Sequence, residues 1–143
     1  MQTFLPLPNF VESASCLDKK RLGKQRVECL QLLNTLLGHS TGWANHPATR
    51  MWRGYELALG LYAVDVCNAW VARGYSDSVR GKVLGLLPKL SKVFEESQVR
   101  LPPWYGMDAF HEAHRSNLLR KDPDWYGRFG WTEPDDLPYV WPV

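Results

Sequence analysis

Residues 47–73, PATRMWRGYELALGLYAVDVCNAWVAR, decide the fold. Pro47 suits the first turn of a helix, where its missing N–H costs nothing. Ala48, Met51, Trp52, Tyr55, Leu59, Tyr62, Val66 and Trp70 then recur at helical spacing. Leu57, Leu61, Val64 and Val71 occupy the other sides, and Glu56 and Asp65 are the only charges between Tyr55 and Ala72. A helix that is apolar nearly all round belongs in the middle of a helical protein. The spacing therefore predicts one buried central helix from Pro47 to about Arg73, stopping before Gly74.

The flanking sequence supplies partners for it. A helical pattern runs from about Val11 to Leu37, with Ser13 or Ser15 able to cap a turn and Gly23 marking a kink or a junction. Gly38 ends it as a C-cap, and residues 39–46 form a loop. A third helical region covers about Asp77 to Ser97, interrupted by Gly85 and Pro88. After the break at Leu101-Pro102-Pro103, a fourth runs from about Met107 to Lys121. Residues 1–10 are expected to be extended, and the aromatic- and proline-rich tail after Asp124 to wrap over the helices. Strand signals are weak, so the fold class is all-α, with residues 1–143 forming one compact domain.

Composition narrows the function classes. Of 143 residues, 45% are hydrophobic and 22% charged, which argues against disorder. No apolar run approaches the roughly 18–20 residues of a membrane span, so no membrane partner is expected. The start MQTFLPLPNF lacks the basic and apolar regions of a signal peptide. Three cysteines without a CxxC pair argue against disulfides and zinc–thiolate sites and make a reducing cytoplasm the expected compartment. There is no P-loop, GxGxxG, GxSxG or HExxH, and no cofactor is expected.

Net charge is only +2, but Lys19, Lys20, Arg21, Lys24 and Arg26 place five positive charges within eight residues. Lys20, Arg21 and Lys24 can follow a phosphate backbone; the plainer reading is a solvated face. Seven tryptophans are more than a core of this size needs, and tryptophan beside cations suits nucleobases.

Polar residues interrupt the apolar stripes in three places. The stripe of the first long helix, Leu22, Cys29, Leu30, Leu33, Leu36 and Leu37, extends back through Gln25, Arg26 and Asp18. Such residues line a cleft, or else Arg26 pairs internally with Glu56 or Asp18. On the fourth helix His111 and His114 share a stripe with Phe110 and Leu118, flanked by Arg115 and Asn117. Two histidines without a third ligand make a poor metal site, so no metal is expected; hydrogen bonds to a core partner or a phosphate suit them better. Asn45 or His46 is placed to cap the helix that begins at Pro47, or to line a site at its mouth. Gln25 and Arg26 are expected to share a polar cleft with His111 and His114.

His111-Glu112-Ala113 and Pro123-Asp124-Trp125-Tyr126-Gly127-Arg128-Phe129-Gly130 resemble the end of the pyrimidine-dimer DNA glycosylases, the endonuclease V family of bacteriophage and chlorella-virus enzymes. Leu17 through Val27 resemble that family's basic first helix. Leu22-Gly23-Lys24-Gln25-Arg26-Val27-Glu28 and Asn45-His46-Pro47 suit a bacterial or phage branch. The resemblance implies an all-α endonuclease V-type fold and a monomer that binds damaged or modified duplex DNA, kinking it and extruding a base. Its chemistry is attack on the sugar C1′ by an N-terminal α-amine, imine formation and β-elimination, assisted by a glutamate of the basic helix. An α-amine, with a pKa of about 7.7–8.0, keeps a reactive unprotonated fraction at neutral pH that a lysine amine does not.

Two departures stand out. Gln2 is too large for ordinary methionine removal, so the amine belongs to Met1, with an unusual lysine as the other possible nucleophile. No acid lies between Lys19 and Val27, and a gapless match puts Gly23 at the glutamate position; Asp18 or Glu56 is then expected to replace it. Met1, Asp18 and Glu56 are the candidate catalytic residues. Lys20, Arg21, Lys24, Gln25, Arg26, Asn45, His46, His111, His114, Arg115, Trp125, Tyr126 and Arg128 are the candidate DNA- or base-binding residues. The alternatives are a non-catalytic module that binds lesions or modified bases, and an enzyme acting on small nucleobases or nucleotides.

Overall fold

The helix expected from Pro47 to Arg73 is two helices. In the computed structural model, which describes residues 1–94 and 99–143 (side chains of 91–94 aside), α3 spans Pro47–Trp52 and α4 spans Glu56–Ala72. Gly54 separates them with φ +93°, a left-handed conformation that suits a residue without Cβ. Its N–H donates to Glu56 Oε1 at 3.1 Å, which fixes the corner. Beyond it α4 is the central helix, burying Ala58, Leu59, Tyr62, Ala63, Val66 and Cys67 against α1, α2 and α5.

The first long pattern is likewise divided, but at Leu17-Asp18 rather than at Gly23. α1 covers Phe10–Cys16 and α2 covers Lys19–Leu36. Arg73 donates to the carbonyls of Ser15 and Leu17, and the Asp18 N–H donates to the Tyr126 hydroxyl, so the peptide groups that leave the helical ladder at the corner are held from two sides. Gly23 lies inside α2 because the Trp70 ring crosses there. A Cβ at position 23 would stand 3.1 Å from two ring carbons of Trp70. At the other end Gly38 takes φ +81° after the C-cap Leu37, as its sequence position implied.

α5 runs Arg80–Phe94 and carries Pro88 within it. Asp77 caps its start, accepting from the N–H groups of Val79 and Arg80. The end expected for this helix, at Ser97, lies outside the described residues. α6 spans Asp108–Lys121, followed by the short α7 at Pro123–Tyr126 and a 3-10 turn at Gly127–Phe129. No strand occurs among the described residues, and the fold is all-α. No helix among them is long and apolar enough to cross a membrane. Of the seven tryptophans only Trp52 and Trp104 are buried in the core.

The N-terminal segment threads through the helices and is held almost wholly by side chains. Gln25 accepts from Phe4 N–H at 2.8 Å and donates to Gln2 C=O at 2.8 Å. Tyr62 donates to Phe4 C=O. His114 Nδ1 accepts from Leu5 N–H at 2.8 Å, and His111 Nδ1 bonds Leu5 C=O at 2.8 Å. Arg115 donates to Pro6 C=O, and Trp52 to the Thr3 hydroxyl. An extended chain buried among helices has no ladder to join, and each unpaired peptide group would cost about 1–3 kcal/mol. The polar residues on the α2 and α6 stripes supply what a neighbouring strand would.

Candidate nucleic-acid interface and amine site

The threading delivers Met1 to a cleft of about 320 Å³ on the α2 face. Met1, Gln2 and Phe4 form one wall, Lys20, Arg21, Lys24, Gln25 and Glu28 of α2 the floor, and Lys121 and Tyr139 the far side. Helical spacing explains the floor, because positions 21, 24, 25 and 28 lie one turn apart on one face. Glu28 is mostly buried. Its Oε2 accepts from Gln2 N–H at 3.3 Å and its Oε1 lies 3.5 Å from Lys24 Nζ. Glu28 thus holds the first peptide N–H after Met1, in a cleft that also carries Lys20, Arg21, Lys24 and Lys121. Lys121 is held below its ordinary pKa by partial burial and then by the charges of Arg21, Arg120 and Lys24.

His46 borders this region. It caps α3, with Nδ1 accepting from Ala48 N–H at 3.0 Å. Burial, and after it the positive charge of the Met1 amine, lowers its pKa, while Glu28 pulls the other way. Asn45, beside it, is exposed in the preceding turn.

Several candidates go elsewhere. Asp18 is not in the cleft with Met1. Its carboxylate accepts from Tyr126 and Arg21, and these bonds outweigh the burial that opposes ionisation, holding its pKa below the usual range. It lines a second, shallower cleft with Lys19, Lys20, Gly23, Lys24, Trp70, Asp122 and Trp125. Glu56 turns to the Gly54 corner. Arg26 pairs with Asp77, a partner in neither of the expected positions, and stacks on Trp70 at 4.4 Å. The shared cleft of Gln25 and Arg26 with His111 and His114 does not form, because successive α2 residues face different neighbours. Gln25 and the two histidines hold the N-terminal segment instead, and Arg115 joins Pro6 to Glu133. Tyr126 is fully buried, whereas Trp125 is half-exposed with Arg128 stacked on it at 3.9 Å.

Among the described residues no three metal-ligating side chains cluster. The three free cysteines are buried.

Over residues 1–81 the sequence matches the model of a protein family described as pyrimidine dimer DNA glycosylase. The chain belongs to that family. The match covers the N-terminal segment and α1 to α4, and so includes Met1, the basic helix and Glu28. No curated protein and no solved structure matches the chain. Membership of this family supports a glycosylase-like DNA-repair function at family level, with DNA as the substrate class. Glu28 is not among the candidates read from the sequence, because a gapless match puts Gly23 at the family's glutamate position. The available signal was that Glu28 stands three residues after Gln25 and four after Lys24, on the same face.

The bonds that hold the N-terminal segment have a pH signature. Burial first, and the nearby His111 second, push His114 down to about 3, so it is neutral in the fold. In the unfolded chain it titrates near 6.5. The unfolded state therefore takes up a proton below that value that the folded state refuses, and stability falls as pH drops from about 6.5 toward 3. The expected slope is about 1.4 kcal/mol per pH unit from this residue. Chemical denaturation between pH 7.5 and 4 checks it, and His114→Gln should flatten the profile.

Proposed function

We propose that the protein is a base-excision glycosylase with abasic-site lyase activity on damaged or modified duplex DNA, using the Met1 α-amine as nucleophile and Glu28 as its acid–base partner. The observation that carries this reading is Glu28 Oε2 accepting from the Gln2 N–H at 3.3 Å, within a cleft lined by Lys20, Arg21, Lys24 and Lys121. The lysines and Arg21 hold phosphates flanking the extruded nucleotide. The amine attacks C1′, the base departs with the bonding electrons, and the sugar ring opens to an imine. Loss of a C2′ proton to a base then expels the 3′ phosphate by β-elimination. Glu28 is placed to take the proton that the amine releases and to return it to a leaving group.

Borohydride in the presence of an abasic duplex tests this directly. A covalent adduct is expected, with mass spectrometry locating it at Met1; acetylating the N-terminus abolishes it. An adduct at Lys121 would move the nucleophile to that lysine, and no adduct on a duplex that the protein binds would overturn the imine mechanism. Replacing Lys20 and Arg21 together with alanine should weaken binding to every duplex and reduce the salt slope by about two, at roughly one per phosphate contact. The non-catalytic alternative rests on the absence of an acid between Lys19 and Val27 and on Gln2 keeping Met1 in place; Glu28, bonded to the Gln2 N–H, is an acid that answers the first of these grounds.

A further inference from the structure

Trp43 is the one non-glycine residue with positive φ among those described, at +65°. A tryptophan gains nothing from a left-handed backbone in a turn where glycine would serve, and strained residues of this kind collect at binding sites. The residue is also exposed, at 48%, where a core residue would be covered. Its turn is nonetheless anchored: the Thr35 hydroxyl donates to Gly42 C=O at 2.7 Å, and His46 N–H donates to Trp43 C=O at 3.0 Å.

The position is joined to the amine cleft by a row of aromatic rings. Tyr139, in the cleft wall, lies 5.6 Å from Trp141. Trp141 meets His46 edge-on at 5.8 Å, and His46 meets Trp43 edge-on at 5.5 Å. His46 is fixed by its cap on Ala48, so it seats Trp43 at the outer end of a row of rings that starts in the wall of the cleft lined by Met1. His46 is the one aromatic neighbour of the indole among the described residues, and flat apolar surface of this kind suits a nucleobase.

We propose that Trp43 is the base-stacking residue of this site, its exposed indole packing on a nucleobase that adjoins the sugar held at Met1. The inference rests on the base-excision reading and specifies how that site grips the strand. Stacking on the neighbour stabilises the gap left when the target nucleotide is drawn into the cleft, and the edge-on contact with His46 lowers the cost of ordering the indole.

The test uses a duplex with a reduced abasic site and 2-aminopurine on either side of it. Wild-type protein should change the 2-aminopurine fluorescence on one side. Trp43→Gly should abolish that change and weaken binding by about ten- to a hundredfold, the range of one base–aromatic stack. Its salt slope should not alter, since no phosphate contact is lost. Glycine also relieves the positive φ, so the melting temperature of Trp43→Gly should be no lower than that of the wild type. Trp43→Phe should restore most of the affinity. Wild-type affinity and fluorescence in Trp43→Gly would overturn the proposal. So would a fall in melting temperature that parallels the binding loss and is not rescued by phenylalanine, which would make Trp43 structural. Failure of the wild type to bind the duplex would fell the base-excision reading, and this inference with it; trapping that persists in a Trp43→Gly variant of unchanged affinity would fell the inference alone.

Discussion

Glu28→Gln is expected to slow borohydride trapping on an abasic duplex by about 10²–10⁴, the usual worth of a positioned acid–base group, while leaving affinity for that duplex nearly unchanged. Glutamine keeps an oxygen able to accept the Gln2 N–H, so the N-terminal segment stays in place. What disappears is the carboxylate proposed to exchange protons with the amine. The ion pair with Lys24 is lost too, but Lys24 is 72% exposed, and such pairs contribute about 0–1 kcal/mol. Asp18→Asn and Glu56→Gln serve as comparisons. Neither residue lines the cleft at Met1, so neither should change the trapping rate. Asp18→Asn should instead lower stability, because it weakens the bonds from Tyr126 and Arg21. Single-turnover trapping across the three variants decides the matter. A Glu28→Gln rate equal to wild type would remove Glu28 from the chemistry, and a slow Asp18→Asn would restore the assignment suggested by the sequence.

The central helix, the Gly38 stop, the extended start and the all-α class were legible because each rests on local spacing or on one residue's backbone preference. The corners at Leu17-Asp18 and Gly54 were not. Each is held by groups distant in sequence or by a side chain folding back: Arg73 and Tyr126 at the first, Glu56 at the second. Arg26 illustrates the same limit. Its stripe position marked it as a buried charge in need of a partner, but Asp77 lies 51 residues away and no periodicity points to it. His111, His114, Gln25 and Arg115 are the most instructive. Polar groups on an apolar stripe do signal something polar in the interior, and the natural guess is a ligand. Here the polar object is the chain's own N-terminal backbone, whose peptide groups need donors and acceptors as much as a phosphate would. The site itself was half visible: Met1, Lys20, Arg21, Lys24 and Gln25 do line one cleft, while Glu28 needed the segment's path to be seen.

Gln25→Ala is expected to lower stability and chemistry together. In the fold the Gln25 amide makes two buried bonds of 2.8 Å, accepting from Phe4 N–H and donating to Gln2 C=O. Alanine leaves both peptide groups without a partner, at about 1–3 kcal/mol each, or roughly 2–6 kcal/mol in all. For a chain of this size each kcal/mol corresponds to about 2–4 °C of melting temperature. The part of the segment freed is the part that carries Met1 and presses Gln2 against Glu28. A displacement of about 1 Å at a reacting group can cost on the order of a hundredfold, so trapping should fall at least that far even well below the melting temperature. Gln25→Glu separates the two bonds: it keeps an acceptor for Phe4 N–H but sets an oxygen against Gln2 C=O, and should slow trapping while losing less stability than alanine only if the Phe4 bond is the stronger anchor. Calorimetry and trapping on the same samples give the answer. If Gln25→Ala melts like the wild type and loses only affinity for duplex DNA, Gln25 contacts a base edge as its stripe position first suggested, and the N-terminal segment must be held by Tyr62, His111 and His114 without it.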